Sequence, residues 1–209
     1  MCAVVKNLYE TLKEMNDRDY IEKFLVYNLS IVIEGSKPSA TVTLKKDYDN
    51  TYGKWMKCGR EFIEAIGLNY VVLREDYTSA ILLIYNVDIL KSYLFTDKSY
   101  QFLTGIGYPL EQTLENYLVK LKERYSIYHC PHELGVFLGY PVNDVEDFMK
   151  CTSKQCLMCG YWKVYNDVDH AVKIFEKYDI IKKQAAESIL HGLKAHDLVC
   201  RLKKIEYLG

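Results

Sequence analysis

The sequence predicts an α+β fold: a small, antiparallel sheet packed with helices, followed by a helix-rich C-terminal half with a long terminal helix. Three observations lead there. Tyr70–Arg74 and Ala80–Tyr85 are rich in β-branched and aliphatic residues, and the short polar link Glu75-Asp76-Tyr77-Thr78-Ser79 joins them as an antiparallel hairpin. From residue 87 onward, apolar residues recur at helical spacing. The segment 180–204 keeps Ile181, Ala185, Ile189, Leu193 and Cys200 along one side, with a bend expected near Gly192.

In chain order, residues 3–27 read as helical. Val4, Val5, Leu8, Leu12 and Met15 form a stripe that breaks near Asn16-Asp17 and resumes with Ile21, Phe24 and Leu25. Leu29–Ile33 is a short apolar run with β-branched residues, ended by the turn signal Glu34-Gly35-Ser36-Lys37-Pro38. Thr41–Leu44 alternates as a short strand. Asp49 or Asn50 caps a helix over about 51–66, with Trp55, Cys58, Phe62, Ile63 and Ile66 inward and Gly67 as its stop. After the hairpin, helices are expected near 87–95, 97–105, 110–125 and 131–139. Asn143 or Asp144 caps a further helix through Phe148, Trp162–Tyr165 reads as extended, and Asp167 caps a helix carrying Ala171, Phe175 and Tyr178. With no repeat or Pro/Gly/Ser linker, residues 1–209 read as a single domain, with an N-terminal α/β lobe to about residue 86 and a helical lobe from 87.

Bulk composition narrows the function classes. The net charge of −1 argues against a general nucleic-acid binder, which shows a basic excess. No run approaches the apolar length of a membrane span, and the N-terminus lacks the apolar core of a signal peptide, so a cytoplasmic protein is expected. In that compartment the 7 Cys are thiols, metal ligands or redox groups rather than a disulfide framework. The 19 Tyr suit rims, shallow cores and interfaces, where apolar area meets a polar tip.

The residue types that carry chemistry concentrate between His129 and Trp162. Cys156-x-x-Cys159 lets two thiolates meet one metal or each other across a tight turn, and Cys130 or Cys151 would complete a zinc or iron–sulfur set. His132 and Glu133 follow Pro131 at a helix start, where they read either as a capping pair or as a base oriented by a carboxylate. Tyr140, Tyr161 and Trp162 beside Lys163 suit a planar or anionic ligand. Gly105-x-Gly107 lacks the third Gly and the preceding strand of a dinucleotide fingerprint, and there is no Walker sequence, Gly-x-Ser-x-Gly or His-Glu-x-x-His.

Pro131-His132-Glu133-Leu134-Gly135-Val136-Phe137-Leu138-Gly139-Tyr140-Pro141, Asp144-Val145, Phe148 and Cys159-Gly160-Tyr161-Trp162-Lys163-Val164-Tyr165 resemble the hallmark blocks of the DUF3793 family. These are uncharacterised proteins found mainly in anaerobic Firmicutes. Gly35-x-Lys37-Pro38 and Gly107-Tyr108-Pro109 resemble its upstream elements, so the likeness spans roughly 28–180. The resemblance implies a bacterial cytoplasmic protein and supplies no reaction, cofactor or catalytic residue. In the family a Cys often precedes the Lys of the upstream element; here Leu29 stands near that place.

Two functions are expected from these residues. The first is an accessory protein, without a cofactor, that binds a small molecule or a protein partner through His132, Glu133, Tyr140, Tyr161, Trp162 and Lys163. The alternative is a zinc or iron–sulfur protein, with redox activity, built on Cys156 and Cys159 with Cys130 or Cys151. A hydrolase using His132 and Glu133 has the least support. Neither nucleic acid nor membrane is an expected partner, and the terminal helix offers a route to a homodimer.

Overall fold

The computed structural model of the chain describes residues 2–150 and 154–205. Three antiparallel strands, β1 (Ser39–Lys45), β2 (Asn69–Glu75) and β3 (Ser79–Tyr85), form the main sheet in the order β1-β3-β2. Leu82 of β3 lies opposite Val42 on one side and Val72 on the other. The expected hairpin is present, with a bulge at Leu73. Its turn is closed by Asp76, whose carboxylate accepts from the Thr78 and Ser79 amides at 2.8 and 2.9 Å. The Thr78 hydroxyl, which donates to the same oxygen, and those amides hold the Asp76 carboxyl down at about 2.

The sheet is a wall between two hydrophobic cores. Because side chains alternate across a strand, Leu82 and Ile84 of β3 enter the first core while Leu83 and Tyr85 enter the second. The outer positions of β1, Thr41 and Thr43, are exposed, so the second core lies beneath β2 and β3. That core is closed by α5 (Val87–Leu94), α6 (Asp97–Gly105), α7 (Leu114–Tyr128), α8 (Leu134–Phe137) and α9 (Val142–Met149).

The first core is built around α2 (Asp17–Glu34), against which pack α1 (Cys2–Lys13), α10 (Val168–Leu190) and α11 (Ala195–Ile205). The run Leu29–Ile33, read from sequence as a separate apolar segment, is the last part of α2. Every residue in it is buried, because neighbouring helices surround this end of α2. A helix buried all round shows no polar face, so periodicity cannot distinguish it from a buried strand. Gly35 then ends α2 with φ 101° and donates to the Val32 carbonyl.

The helix expected over 51–66 is divided into α3 (Thr51–Lys54), a π-turn (Trp55–Gly59) and α4 (Arg60–Ala65). The wider turn accompanies burial of both Trp55 and Cys58, and the Trp55 ring meets Tyr70 of β2 edge-on at 4.9 Å. Gly67 ends the segment with φ 76°. A short second hairpin pairs β4 (Met158–Cys159) with β5 (Lys163–Val164).

At the C-terminal end the long helix starts at Val168 rather than near 180, and its bend is a true break. Gly192 has φ 84°, and α11 follows as a separate helix. The stripe Ile181, Ala185 and Ile189 is buried in the first core, as are Leu198, Val199 and Leu202 of α11. The expected lobe boundary near residue 86 also differs from the packing, because α10 and α11 join the N-terminal helices. Among the described residues, no helix is long and apolar enough to cross a membrane.

Candidate functional site

A pocket of about 240 Å³ opens where the two cores meet. Its floor is Leu134, Leu138 and Val145 from the second core, and its far wall is Trp162 from the first. Tyr140 packs against both cores and stacks on Trp162, with ring centroids 5.4 Å apart and planes inclined by 28°. His132, Phe148 and Lys163 complete the aromatic and cationic rim, with Cys130 at its edge. The His132 ring meets Phe148 at 4.8 Å, and Lys163 Nζ lies 5.1 Å from the same ring.

Local sequence explains this placement. Pro131, His132 and Glu133 form a tight turn, in which the Leu134 amide donates to the Pro131 carbonyl before the four residues of α8. Gly139 then takes φ 78°, which turns Tyr140 back towards the pocket. A Cβ on Gly139 would lie 2.6 Å from Pro38 Cδ, so this turn also abuts the one that follows α2.

The helix over 142–149 begins two to three residues earlier than expected. Pro141 precedes it, no side chain caps it, and Asp144 lies inside it. The buried Asp144 carboxylate instead accepts from Trp162 Nε1 at 2.8 Å, the Tyr165 amide at 2.9 Å and Asn166 Nδ2 at 2.8 Å. These three bonds fix β5 and the Trp162 ring against α9. On the other side, Gly160 permits Phe175 to approach so closely that a Cβ would lie 2.1 Å from its ring.

Five candidate residues, Cys130, His132, Tyr140, Trp162 and Lys163, therefore line one pocket. Glu133 does not. Its carboxylate is buried on the opposite side of the turn, where Arg124 Nε and the Tyr108 hydroxyl donate to it. Burial and this carboxylate push the Tyr108 phenol far above its ordinary value, so it stays neutral. The notion of Glu133 orienting His132 as a base is thus corrected: adjacent residues in a turn point to opposite sides. Tyr161 also leaves the pocket. Its ring meets Phe175 and Tyr178, its hydroxyl donates to Asp179 at 3.0 Å, and burial raises its pKa.

The cysteine set divides in the same way. Cys156 and Cys159 come together, with Sγ atoms 3.6 Å apart. The Cys156 thiol beside it raises the Cys159 thiol above its ordinary value. Cys130 lines the pocket rim next to Tyr125, whose phenol is pushed up to about 12 by burial and then by that thiol. Cys151 lies outside the described residues. Among the described residues no three His, Cys, Asp or Glu side chains converge as a metal site.

Sequence reasoning missed two participants. Asp144 was read as a cap, although Asp144-Val145 and Phe148 already stood among the hallmark blocks. Lys37 was noted as part of a turn and of the upstream family element but not as a site residue, yet it is buried with its Nζ 5.3 Å from the Tyr140 ring centroid. No local signal exposes that burial, because the covering ring comes from a distant part of the chain.

No curated protein and no solved structure matches the chain. The model of the family described as "Protein of unknown function (DUF3793)" matches residues 25–199, a span that holds the sheet, the pocket and the paired thiols. That span is most of the 209 residues, and the chain belongs to the DUF3793 family.

Proposed function

We propose that this is a cytoplasmic accessory protein that binds a small, flat, apolar molecule carrying an anionic group. The observation that carries the reading is the pocket between the cores, walled by Tyr140, Phe148 and Trp162 with the exposed Lys163 at its rim. Ligand sites favour such junctions, where apolar walls meet a few polar groups. Aromatic faces stack on planar molecules, and Lys163 and His132 supply cationic or hydrogen-bonding partners for an anion.

Benzoate, toluene and benzylamine test the reading as probes of one ring with three charges. In ligand-observed saturation-transfer NMR, benzoate is expected to bind most tightly, and Lys163→Met to weaken benzoate while leaving toluene unchanged. Equal binding of all three, or none, removes the reading.

A second reading rests on the 3.6 Å approach of Cys156 and Cys159. Two thiols at this separation exchange with a small-molecule disulfide such as oxidised glutathione. The two cysteines form an intramolecular disulfide, and two glutathione thiols are released. Zinc or an iron–sulfur cluster would need further ligands beside the pair; among the described residues none joins it, and Cys151 lies outside them. Mass spectrometry after equilibration in glutathione buffers is expected to show loss of two hydrogens in the peptide holding both cysteines. A pair that stays reduced throughout overturns this reading.

A further inference from the structure

The thiol pair on the second hairpin has a fixed geometry, and that geometry selects what the pair can hold. The Leu157 amide donates to the Val164 carbonyl at 2.9 Å and the Gly160 amide to the Trp162 carbonyl at 3.0 Å, so the ribbon is closed at both ends. Register places Met158 opposite Val164 and Cys159 opposite Lys163. Alternation along β4 sends Met158 against the first core and leaves Cys159 exposed. Cys156 lies two residues before the strand, half-buried, and its thiol donates to the Met158 carbonyl at 3.2 Å. The two sulfurs thus stand 3.6 Å apart at the surface.

That separation decides between bound centres. With sulfur bonds of about 2.3 Å, a shared atom would see the two sulfurs at an angle of about 100°. A linear two-coordinate ion such as Cu(I) needs them about 1 Å further apart, against the Met158 bond and the closed ribbon. A pyramidal centre with a lone pair, whose three bonds meet at a little more than a right angle, fits without movement. Trivalent arsenic is such a centre, and it is soft enough to favour thiols. Two thiols suffice, since the exposed side of Cys159 leaves the third bond to a hydroxide from solvent. Proton balance agrees. The Cys156 thiol beside it holds the Cys159 thiol above its ordinary value, so a bare cation must expel protons into water. Arsenous acid instead carries hydroxides that remove those protons as water.

We propose that Cys156 and Cys159 form a capture site for trivalent arsenic, taken up as arsenous acid. Each thiol displaces one hydroxide. Two As–S bonds form, two As–O bonds break, and the thiol protons leave in two waters. Arsenic stays trivalent, so no oxidant or reductant is consumed. The inference rests on the thiol pair of the second reading but not on its oxidation, and it is independent of the aromatic pocket.

The test titrates the fully reduced full chain with sodium arsenite. Native mass spectrometry counts arsenic per chain, and peptide mapping locates it. One arsenic is expected, on the peptide that holds both cysteines, with two waters released. Cys156→Ser or Cys159→Ser is expected to weaken arsenite binding by at least about a hundredfold, because the second thiol acts at a high effective concentration. Cys130→Ser and Cys200→Ser are expected to change nothing, with circular dichroism checking the fold of each variant. Should a serine variant of the pair unfold, alkylation of the unmodified chain decides: bound arsenic is expected to shield Cys156 and Cys159 together from iodoacetamide. Arsenic that survives loss of either thiol, or a reduced chain that takes up none, overturns the proposal. If the pair still forms a disulfide in glutathione buffers, the second reading stands without it; if arsenic is captured but the pair never oxidises, only the second reading falls.

Discussion

Asp144 and Glu133 are buried acids of the same segment, and each holds a different piece of structure in place. Asp144 receives an indole N–H, a main-chain N–H and a side-chain amide from residues 162–166. Asp144→Ala strands those donors, with an expected loss of about 2–4 kcal/mol in urea unfolding and an altered Trp162 emission. Asp144→Asn keeps one carbonyl acceptor and is expected to lose less than the alanine variant. Glu133 faces Arg124 and Tyr108, so Glu133→Ala leaves a partly buried guanidinium without its carboxylate. The expected loss is about 3 kcal/mol, with affinity for any pocket ligand unchanged in the variant that remains folded. Titration calorimetry with the best aromatic probe checks the second part. From sequence, His132 and Glu133 looked like partners because they are adjacent. Which way each side chain points is decided by a turn whose geometry no residue type announces.

At the level of elements, legibility followed the range of the forces. The 75–79 turn, the Thr41–Leu44 strand, Asn50 as a cap, the turn at Gly35 and the helix stop at Gly67 were readable, because each is fixed by residues within a few positions. The end of α2 was not, since its burial depends on helices more than a hundred residues away. The pocket was half legible. Its chemistry-bearing residues cluster between 130 and 163, while the Asp144 bonds that hold the hairpin cross 18 to 22 positions. That hairpin has a sharp sensitivity. A methyl at Gly160 would occupy the place of the Phe175 ring, which also meets Trp162 edge-on at 4.5 Å. Gly160→Ala is expected to cost about 2–3 kcal/mol in thermal unfolding and to weaken aromatic probes in the same saturation-transfer measurement.

Across the whole molecule, burial of ionisable groups sets a particular response to alkali. Lys37 titrates near 8 in the folded chain and near 10.4 when unfolded. Below pH 8 both states hold the proton and the burial penalty is fully present. Between the two values only the unfolded chain holds it, so stability rises with pH by up to about 3 kcal/mol. Tyr20 and Tyr125, raised to about 12, act in the opposite direction above pH 10, where the folded state keeps protons that the unfolded state loses. Urea unfolding is expected to give a maximum near pH 10, and Lys37→Met to make the rising limb shallower without removing it, because burial brings Lys182 down to about 8 as well; a monotonic fall from pH 7 would contradict this. The two-core arrangement also bears on how the chain is made. Residues 69–149 supply the second core without later help, whereas α2 waits for α10 and α11, which are synthesised more than a hundred residues after it. Until then the nascent chain displays the apolar flank of α2, a surface suited to chaperone capture. A chain halted before residue 168 should therefore be retained by chaperones or proteolysed, with its central portion the most resistant fragment.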